Sequence, residues 1–438
     1  MSTGTARGRM VSWVGVSDIR LLLVVTAGLY LLFTVISVLL GLDLNGLVNT
    51  IRRITFLSAV YAMLALALNV QWGYTGLPNL GIAGFMAVGV YTMGFLSTPT
   101  SSSPAGLGLP LPIGIVGGVI AAALIGVVAS LPALRLRGDY LAIVTLAVSE
   151  IIRLTYRSPV FREVQVGGLT MGTGGANGFS LPENPIRILF YVEPTNIASA
   201  PSALGNVLFS AFEGLGIQPT VVVGWAYVFV LVGVVAAIYW LLARVGNSPF
   251  GRVLKAIRED ELVADALGKD TRWFKIKVFA LGCGLMGLTA ILWRLSGGFT
   301  SPRLFRPIQT FYVFVALIIG GSGSNTGSVV GGAVFASLLF EGPSFVKRVV
   351  KQLFEVGTAP NTLFEALGAL GGGNAQPLVA YTLADVSVAA LRLVLLGVVL
   401  IYLVQNRPEG LLGHRKEVAS SVDLWERSGE TGTGGEDR

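Results

Sequence analysis

Apolar runs, separated by short polar or Gly-rich stretches, dominate this chain. A spanning helix needs about 20 mostly apolar residues. Ten runs approach that length, at about 20–42, 54–72, 76–97, 111–134, 138–157, 220–243, 273–296, 308–321, 325–341 and 380–404. The second and third, and the eighth and ninth, are separated only by Gly-rich breaks. The pattern predicts an all-α, polytopic integral membrane protein with about ten transmembrane or re-entrant helices, some of them broken. The first run exceeds a signal-peptide core of about 7–15 residues and lacks a following small-x-small site, so it reads as an uncleaved helix.

Composition supports the pattern. Only 13% of the 438 residues are charged and 53% are hydrophobic, whereas soluble domains carry about 25% charge. Mean hydropathy is +0.73. This excludes a water-soluble enzyme and a disordered regulator. The net charge of +7 reflects basic residues in short loops and gives no reason to expect nucleic acid. With one Cys (Cys283) and one His (His414), no disulfide framework, Cys/His metal cluster or His-based triad is available. No metal site, cofactor or enzymatic activity is expected. Cys283 reads as a packing residue and His414 as part of a solvated tail.

Lys and Arg set the orientation. An even number of spans puts both termini on one side. The choice that retains Arg7, Arg9, Arg135, Arg137, Arg407 and the basic loop 244–277 on the inside makes both termini cytoplasmic. The expected division is a cytoplasmic segment 1–19, a transmembrane body 20–413 and a polar, disordered tail 414–438. Segments 158–219 and 342–379 then face outward, and Arg52, Arg53, Arg303, Arg306 and the Lys347 to Lys351 group fall outside against the trend.

Three stretches carry candidate function. The first contains Gly73, Tyr74, Thr75, Gly76, Asn79 and Gly81 between apolar runs. Non-helical backbone at membrane depth must be satisfied against protein or a water-filled cavity, and broken helices line many transport sites. A pathway element and a plain hairpin both fit. The helix after it carries small residues, Gly81, Ala83, Gly84 and Ala87, that permit close packing. The second stretch contains Gly320, Gly321, Gly323 and Ser324, and has a similar outline on the same side. No G-x-x-x-x-G-K-[ST] motif occurs, so the chain itself offers no ATPase site of that type. The third is the inner loop 246–272. Ser248-Pro249 is a helix-start signal and Gly268 a stop. Val253, Leu254 and Ile257 share a face opposite Arg252, Lys255, Arg258 and Glu259. One or two short amphipathic helices follow, resting on lipid headgroups or docking a partner. Within the spans, Glu150 and Arg153 stand i,i+3 and can pair, while Arg294 and Arg392 lie near segment ends, where they can snorkel.

Taken together, these stretches are identified with a known family. The residues 68–81, 134–153 (with Gly138-Asp139-Tyr140 at its centre), Gly174 to Gly178, Ser248 to Gly268, Gly320 to Ser324 and Arg407 to Gly413 follow one order. That order resembles the LivM family, the membrane permease subunits of branched-chain amino-acid ABC importers. The resemblance implies a plasma-membrane permease of a prokaryote that moves branched-chain or other hydrophobic amino acids. It implies a homologous second permease subunit, two cytoplasmic ATPase subunits that bind the ATP, and an extracellular or periplasmic substrate-binding protein. It also implies that Pro249, Gly251, Arg252, Lys255, Arg258, Glu259, Asp260, Ala264 and Gly268 form the ATPase-coupling element. Family members often have a His where this chain has Ile82, and segments 183–219 and 342–379 are longer than usual. Related permeases carry urea or short-chain amides, and a self-contained secondary transporter is the alternative of another class. For a branched side chain, Val70, Ile82, Phe85 and Ile319 are apolar candidates by position.

Overall fold

The computed structural model describes residues 16–133, 138–166, 168–192, 199–353, 359–382, 385–406 and 410–412. The N-terminal arginines, Arg135, Arg137, Arg407, His414 and the tail lie outside the described residues.

Each of the ten apolar runs contains a helix. They are α1 (Val16–Leu39), α2 (Leu44–Leu68), α3 (Ile82–Ser97), α4 (Leu111–Ala133) and α5 (Gly138–Arg157). After the short α6 (Pro185–Phe190) and α7 (Ala203–Glu213) comes the long α8 (Pro219–Gly246). The pair α9 (Pro249–Glu259) and α10 (Glu261–Ala266) precedes α11 (Thr271–Leu295). Then follow α12 (Pro307–Gly320), α13 (Asn325–Val334), α14 (Gly342–Leu353), α15 (Leu363–Leu370), α16 (Gln376–Thr382) and α17 (Asp385–Asn406). Among the described residues, six helical stretches are long and apolar enough to cross a membrane. The helices Ile82–Ser97 and Pro307–Gly320 and the stretch Arg392–Leu403 are shorter and also apolar. The protein is a multi-pass membrane protein.

Burial explains the arrangement. In α2, residues 59–68 are buried on every side, so α2 is the central post; α8, α11 and α13 pack around it. Helix α3 is equally enclosed and packs on α4 and α11. Helix α4 has two faces. Ile113, Val116, Ile120, Leu124 and Val128 recur at helical spacing and are exposed, as a lipid-facing stripe requires. Its small residues face inward instead: Ala122 meets Gly287 of α11, and Gly126 meets Cys283. Small residues at helix crossings let backbones approach in lipid, where burial supplies no hydrophobic drive. In α3, Gly84 lies directly against Ser149 of α5.

Two π-helical stretches interrupt the spans, Asn69–Gly73 after α2 and Phe335–Glu341 after α13. Through the second, the ninth run does not end at residue 341 but continues into α14. Thus the first third of segment 342–379 is helix. Segment 158–219 forms a small hairpin of β1 (Val164–Val166) and β2 (Leu169–Met171), paired Val164 to Met171, and then α6 and α7. Strand β3 (Phe179–Ser180) pairs antiparallel with β4 (Phe299–Thr300), tying this segment to the end of α11.

Helices α2 and α13 run antiparallel along their length. Asn69 contacts Asn325 at one end, Gly332 abuts the Ala62 backbone midway, and Arg53 pairs with Glu341 at the other. The segment after α17 returns to the Asn325 end. There Leu411 N–H donates to the Ile319 carbonyl (2.8 Å) and Leu412 N–H to that of Gly320 (3.1 Å). These are the orphan carbonyls of a helix C-terminus, so this piece of the Arg407 to Gly413 motif caps α12. Glu150 and Arg153 do pair, with Arg153 Nε donating to Glu150 Oε2 at 2.8 Å. Arg294 binds the Phe299 carbonyl at the end of α11. Arg392 turns inward, its guanidinium 4.4 Å from the Phe340 ring centroid; the aromatic face, rather than the membrane surface, receives the cation.

Candidate functional site

The two helix breaks meet. Asn69, in the π stretch that ends α2, donates from Nδ2 to Asn325 Oδ1 (3.1 Å), the first residue of α13. The same Asn69 accepts at Oδ1 from the Gly323 N–H (2.7 Å). Tyr74 donates its hydroxyl to Asn325 Oδ1 at 2.9 Å. A Cβ on Gly73 would lie 2.6 Å from Gly323 N, so the two breaks touch backbone to backbone. At Gly323 the backbone has φ +90°, which an L side chain rarely adopts. Ser324 caps α13, its Oγ accepting from Gly327 N–H at 3.0 Å.

A second set of bonds satisfies the rest of the first break. Gln71 donates to the Phe279 carbonyl (2.9 Å) and accepts from Asn79 Nδ2 (2.9 Å). Asn79 Oδ1 accepts from Gly81 N–H (2.8 Å). Thr145 of α5 accepts from Leu80 N–H and Thr310 of α12 from Ala83 N–H. Thr75 bonds the Gln71 carbonyl. Asn69, Gln71 and Asn79 are fully buried. Buried polar groups need such partners, and here Phe279, Thr145 and Thr310 supply them from three different helices, which fixes the break in place. Cys283 packs against Gln71 and Asn79, inside this network.

Of the residues expected along a pathway, Gly73, Tyr74, Thr75, Asn79, Gly81, Gly320 and Gly321 are buried in the junction; Gly76 and Gly323 are exposed and Ser324 is half-buried. Val70, Ile82, Phe85 and Ile319 are core residues.

Segment 246–272 folds over this junction as two helices, α9 and α10. Ser248 caps α9 through Gly251 N–H (3.2 Å) and Pro249 occupies its first turn. Asp260 caps α10 through Leu262 and Val263 N–H, and Gly268 follows it with φ +76°. Gly251, Leu254, Ile257 and Ala264 face the bundle. Glu261 pairs with the buried Lys275 of α11. Pro249, Arg252, Glu259, Asp260 and Gly268 face out with Leu262, Val263 and Leu267, while Lys255 is half-buried. Arg258 reaches inward. Its Nη1 donates to the Gly73 carbonyl at 2.5 Å and would lie 3.0 Å from a Cβ on Gly323. One side chain of α9 therefore touches both breaks.

The family model for the branched-chain amino acid transport system permease component matches residues 50–340. The chain belongs to this family. It is a family of transport permeases rather than of enzymes, and its matched region runs from the first turns of α2 to the π stretch before α14. The permease is 35% identical over 272 residues to the high-affinity branched-chain amino acid transport system permease protein LivM of Escherichia coli, covering 62% of this chain and 59% of the relative. The protein of that name from Salmonella typhimurium is 34% identical over the same shares. A probable branched-chain amino acid transport permease protein LivM of Methanocaldococcus jannaschii is 26% identical over 314 residues, 65% of this chain and 79% of the relative. The chain thus spans 59% of the length of the two bacterial relatives. No solved structure matches the permease.

Sequence reasoning missed Asn69, Gln71, Asn325, Thr145 and Thr310 as partners in the junction. Their signal was present as amide side chains and hydroxyls within apolar runs, which must find partners at membrane depth.

Proposed function

We propose that this chain is the transmembrane permease subunit of an ABC importer for branched-chain and other hydrophobic amino acids. Movement is driven by two separate cytoplasmic ATPase subunits that bind the ATP, and the chain needs no cofactor or catalytic residue of its own. The further partners are a homologous second permease subunit and an external substrate-binding protein. The names of the relatives support the substrate class.

The observation that carries the mechanism is Arg258. Helices α9 and α10 present an outer face with Arg252, Glu259, Leu262 and Leu267 exposed. This mixture of charge and large apolar side chains suits a protein groove better than lipid headgroups alone. Their inner face holds the junction of the two breaks through the Gly73 carbonyl. A shift of the pair by a docked ATPase therefore moves both breaks together. Free backbone ends at broken helices serve the carboxylate and ammonium of an amino acid, so this junction is the element whose motion opens or shuts the path. On this reading α9 and α10 are cytoplasmic. The start of α1 and the end of α17 then lie on that side too, because α1 folds back along α2, with Tyr30 bonded to Thr55 and Phe33 packed on Ile54, and residues 410–412 cap α12.

The test is reconstitution in vesicles with and without the cognate ATPases, second permease and binding protein. ATP-dependent leucine accumulation is expected only with the full set. Accumulation by this chain alone would mark it as a secondary transporter.

A further inference from the structure

The junction leaves the opposite end of the bundle unused. There the first turns of α2 and α8, the last turn of α11 and the π stretch ending at Glu341 enclose a cleft of about 330 Å³. Ligand sites run from about 300 to 1,000 Å³. The walls join two arginines and a carboxylate to aromatic rings: Arg52, Arg53, Phe56, Tyr227, Phe340 and Glu341.

The charges are not placed as a simple surface pair. Glu341 is 4% exposed and paired with Arg53 at 3.0 Å. A buried carboxylate is tolerated only with such a partner. Arg52 is held differently. Its Nε and Nη2 donate to the neutral Asn49 amide at 3.0 and 2.8 Å. Its guanidinium rests on Gly224, where a Cβ would come within 2.5 Å of Nη1. A half-buried cation and a buried anion thus line the same aromatic-walled hollow, and among the described residues the cation's hydrogen-bond acceptor is an uncharged amide. The π stretch sets Phe340 and Glu341 on this wall. Such bulges in a helix commonly mark functional positions.

We propose that this cleft receives a zwitterionic α-amino acid before passage: its carboxylate on Arg52, its ammonium at Glu341, and an apolar side chain between Phe56 and Phe340. Guanidinium binds carboxylate in a two-bond fork, and a carboxylate accepts more than one donor, so Glu341 can take an ammonium beside Arg53. The assignment rests on the import of hydrophobic amino acids proposed above and adds a reception site remote from α9.

The chain offers a direct test. Its one cysteine, Cys283, is fully buried, whereas Ser296 is exposed on the cleft wall. In cells carrying the full chain and its partners, S296C supplies this chain's one accessible thiol for a membrane-impermeant maleimide, and labelling is read on the immunopurified chain. Leucine at ten times its half-protecting concentration is expected to slow labelling about tenfold, as simple occupancy requires. Isoamylamine and 4-methylpentanoate, which lack the carboxylate and the ammonium respectively, should protect poorly. R52Q added to S296C should raise the half-protecting leucine concentration at least about tenfold, the effect of losing one charge-assisted bond. The proposal is overturned by leucine-independent labelling, by equal protection from the amine, or by unchanged protection in R52Q. Labelling that follows membrane lipid composition instead of leucine also overturns it, and assigns the cleft to lipid. Radiolabelled leucine uptake by the wild-type complex in the same cells tests the import reading separately. With uptake intact, failed protection rejects only the cleft.

Discussion

The Arg258 guanidinium donates a 2.5 Å hydrogen bond to the carbonyl of Gly73, 185 residues earlier in the chain. A charged side chain from a surface helix thereby holds the backbone of a broken span. Arg258→Gln keeps much of the side chain's bulk and removes the charge. A bond to a charged group contributes about 1.5–3 kcal/mol, so ATP-driven uptake is expected to fall by about tenfold or more. ATPase co-purification should stay near normal, because the side chain points at the bundle. Uptake assays with pull-downs of the assembled complex check both halves; unchanged uptake would remove Arg258 from the coupling path.

Docking should depend on the other face of the same helices. Arg252 and Glu259 are exposed, and exposed charges contribute little to folding. The double reversal R252E/E259R is therefore expected to leave the thermal midpoint of the detergent-solubilised chain unchanged within about 2 °C. ATPase co-purification is expected to drop severalfold. A loss of both together would mean that these residues hold the fold instead.

Gly323 has φ +90°, and a methyl group added there would lie 3.0 Å from Arg258 Nη1, whereas Gly76 has φ +69° in more open space. Valine at either position would have to adopt a left-handed conformation, which costs about 1–2 kcal/mol per residue. G323V should lose uptake more completely than G76V, since it also displaces Arg258, and both should still insert in the membrane. Surface expression measured alongside uptake decides this; equal, wild-type uptake in both would detach the breaks from transport.

The Gln71–Asn79 pair sits fully buried between α2 and α11. Gln71→Leu leaves the Asn79 amide without its acceptor, at a cost of about 1–3 kcal/mol. The midpoint should fall by several degrees. The double variant Q71L/N79L should be less destabilised than the sum of the two singles, since neither amide is then left alone. A double-mutant cycle by thermal unfolding in detergent measures the coupling, and strict additivity would show that the bond contributes nothing.

Much of this molecule was legible in its residue order. Ten apolar runs became ten helices because lipid demands long uninterrupted hydrogen-bonded segments. Ser248-Pro249 and Gly268 bracket the surface helices for purely local reasons, capping and positive φ, which sequence records directly. Glu150 and Arg153 announced their pairing by spacing alone. What could not be read is distance across the bundle. Asn69 and Asn325 are 256 residues apart, and no periodicity states that two breaks will share a hydrogen bond. Arg52 and Arg53 read as flanking charges on the wrong side of the orientation rule, because their partners, Gly224 and Glu341, come from distant spans. Arg392 stands near a segment end, where a cation can snorkel, but the ring of Phe340 lies beneath it. Helix α14 was hidden because its basic residues mimic a loop, although they continue a span already begun.

Midway between the junction and the cleft, Gly332 lies against the backbone of Ala62, a close crossing of the two antiparallel posts. Backbones this close can pivot but not slide far, so the contact serves as a fulcrum. A tilt of α13 on α2 that spreads the Asn325 end must draw the Glu341 end inward. One continuous helical lever, α13 with the π stretch that follows it, would thus open a door on one surface while it shuts the door on the other.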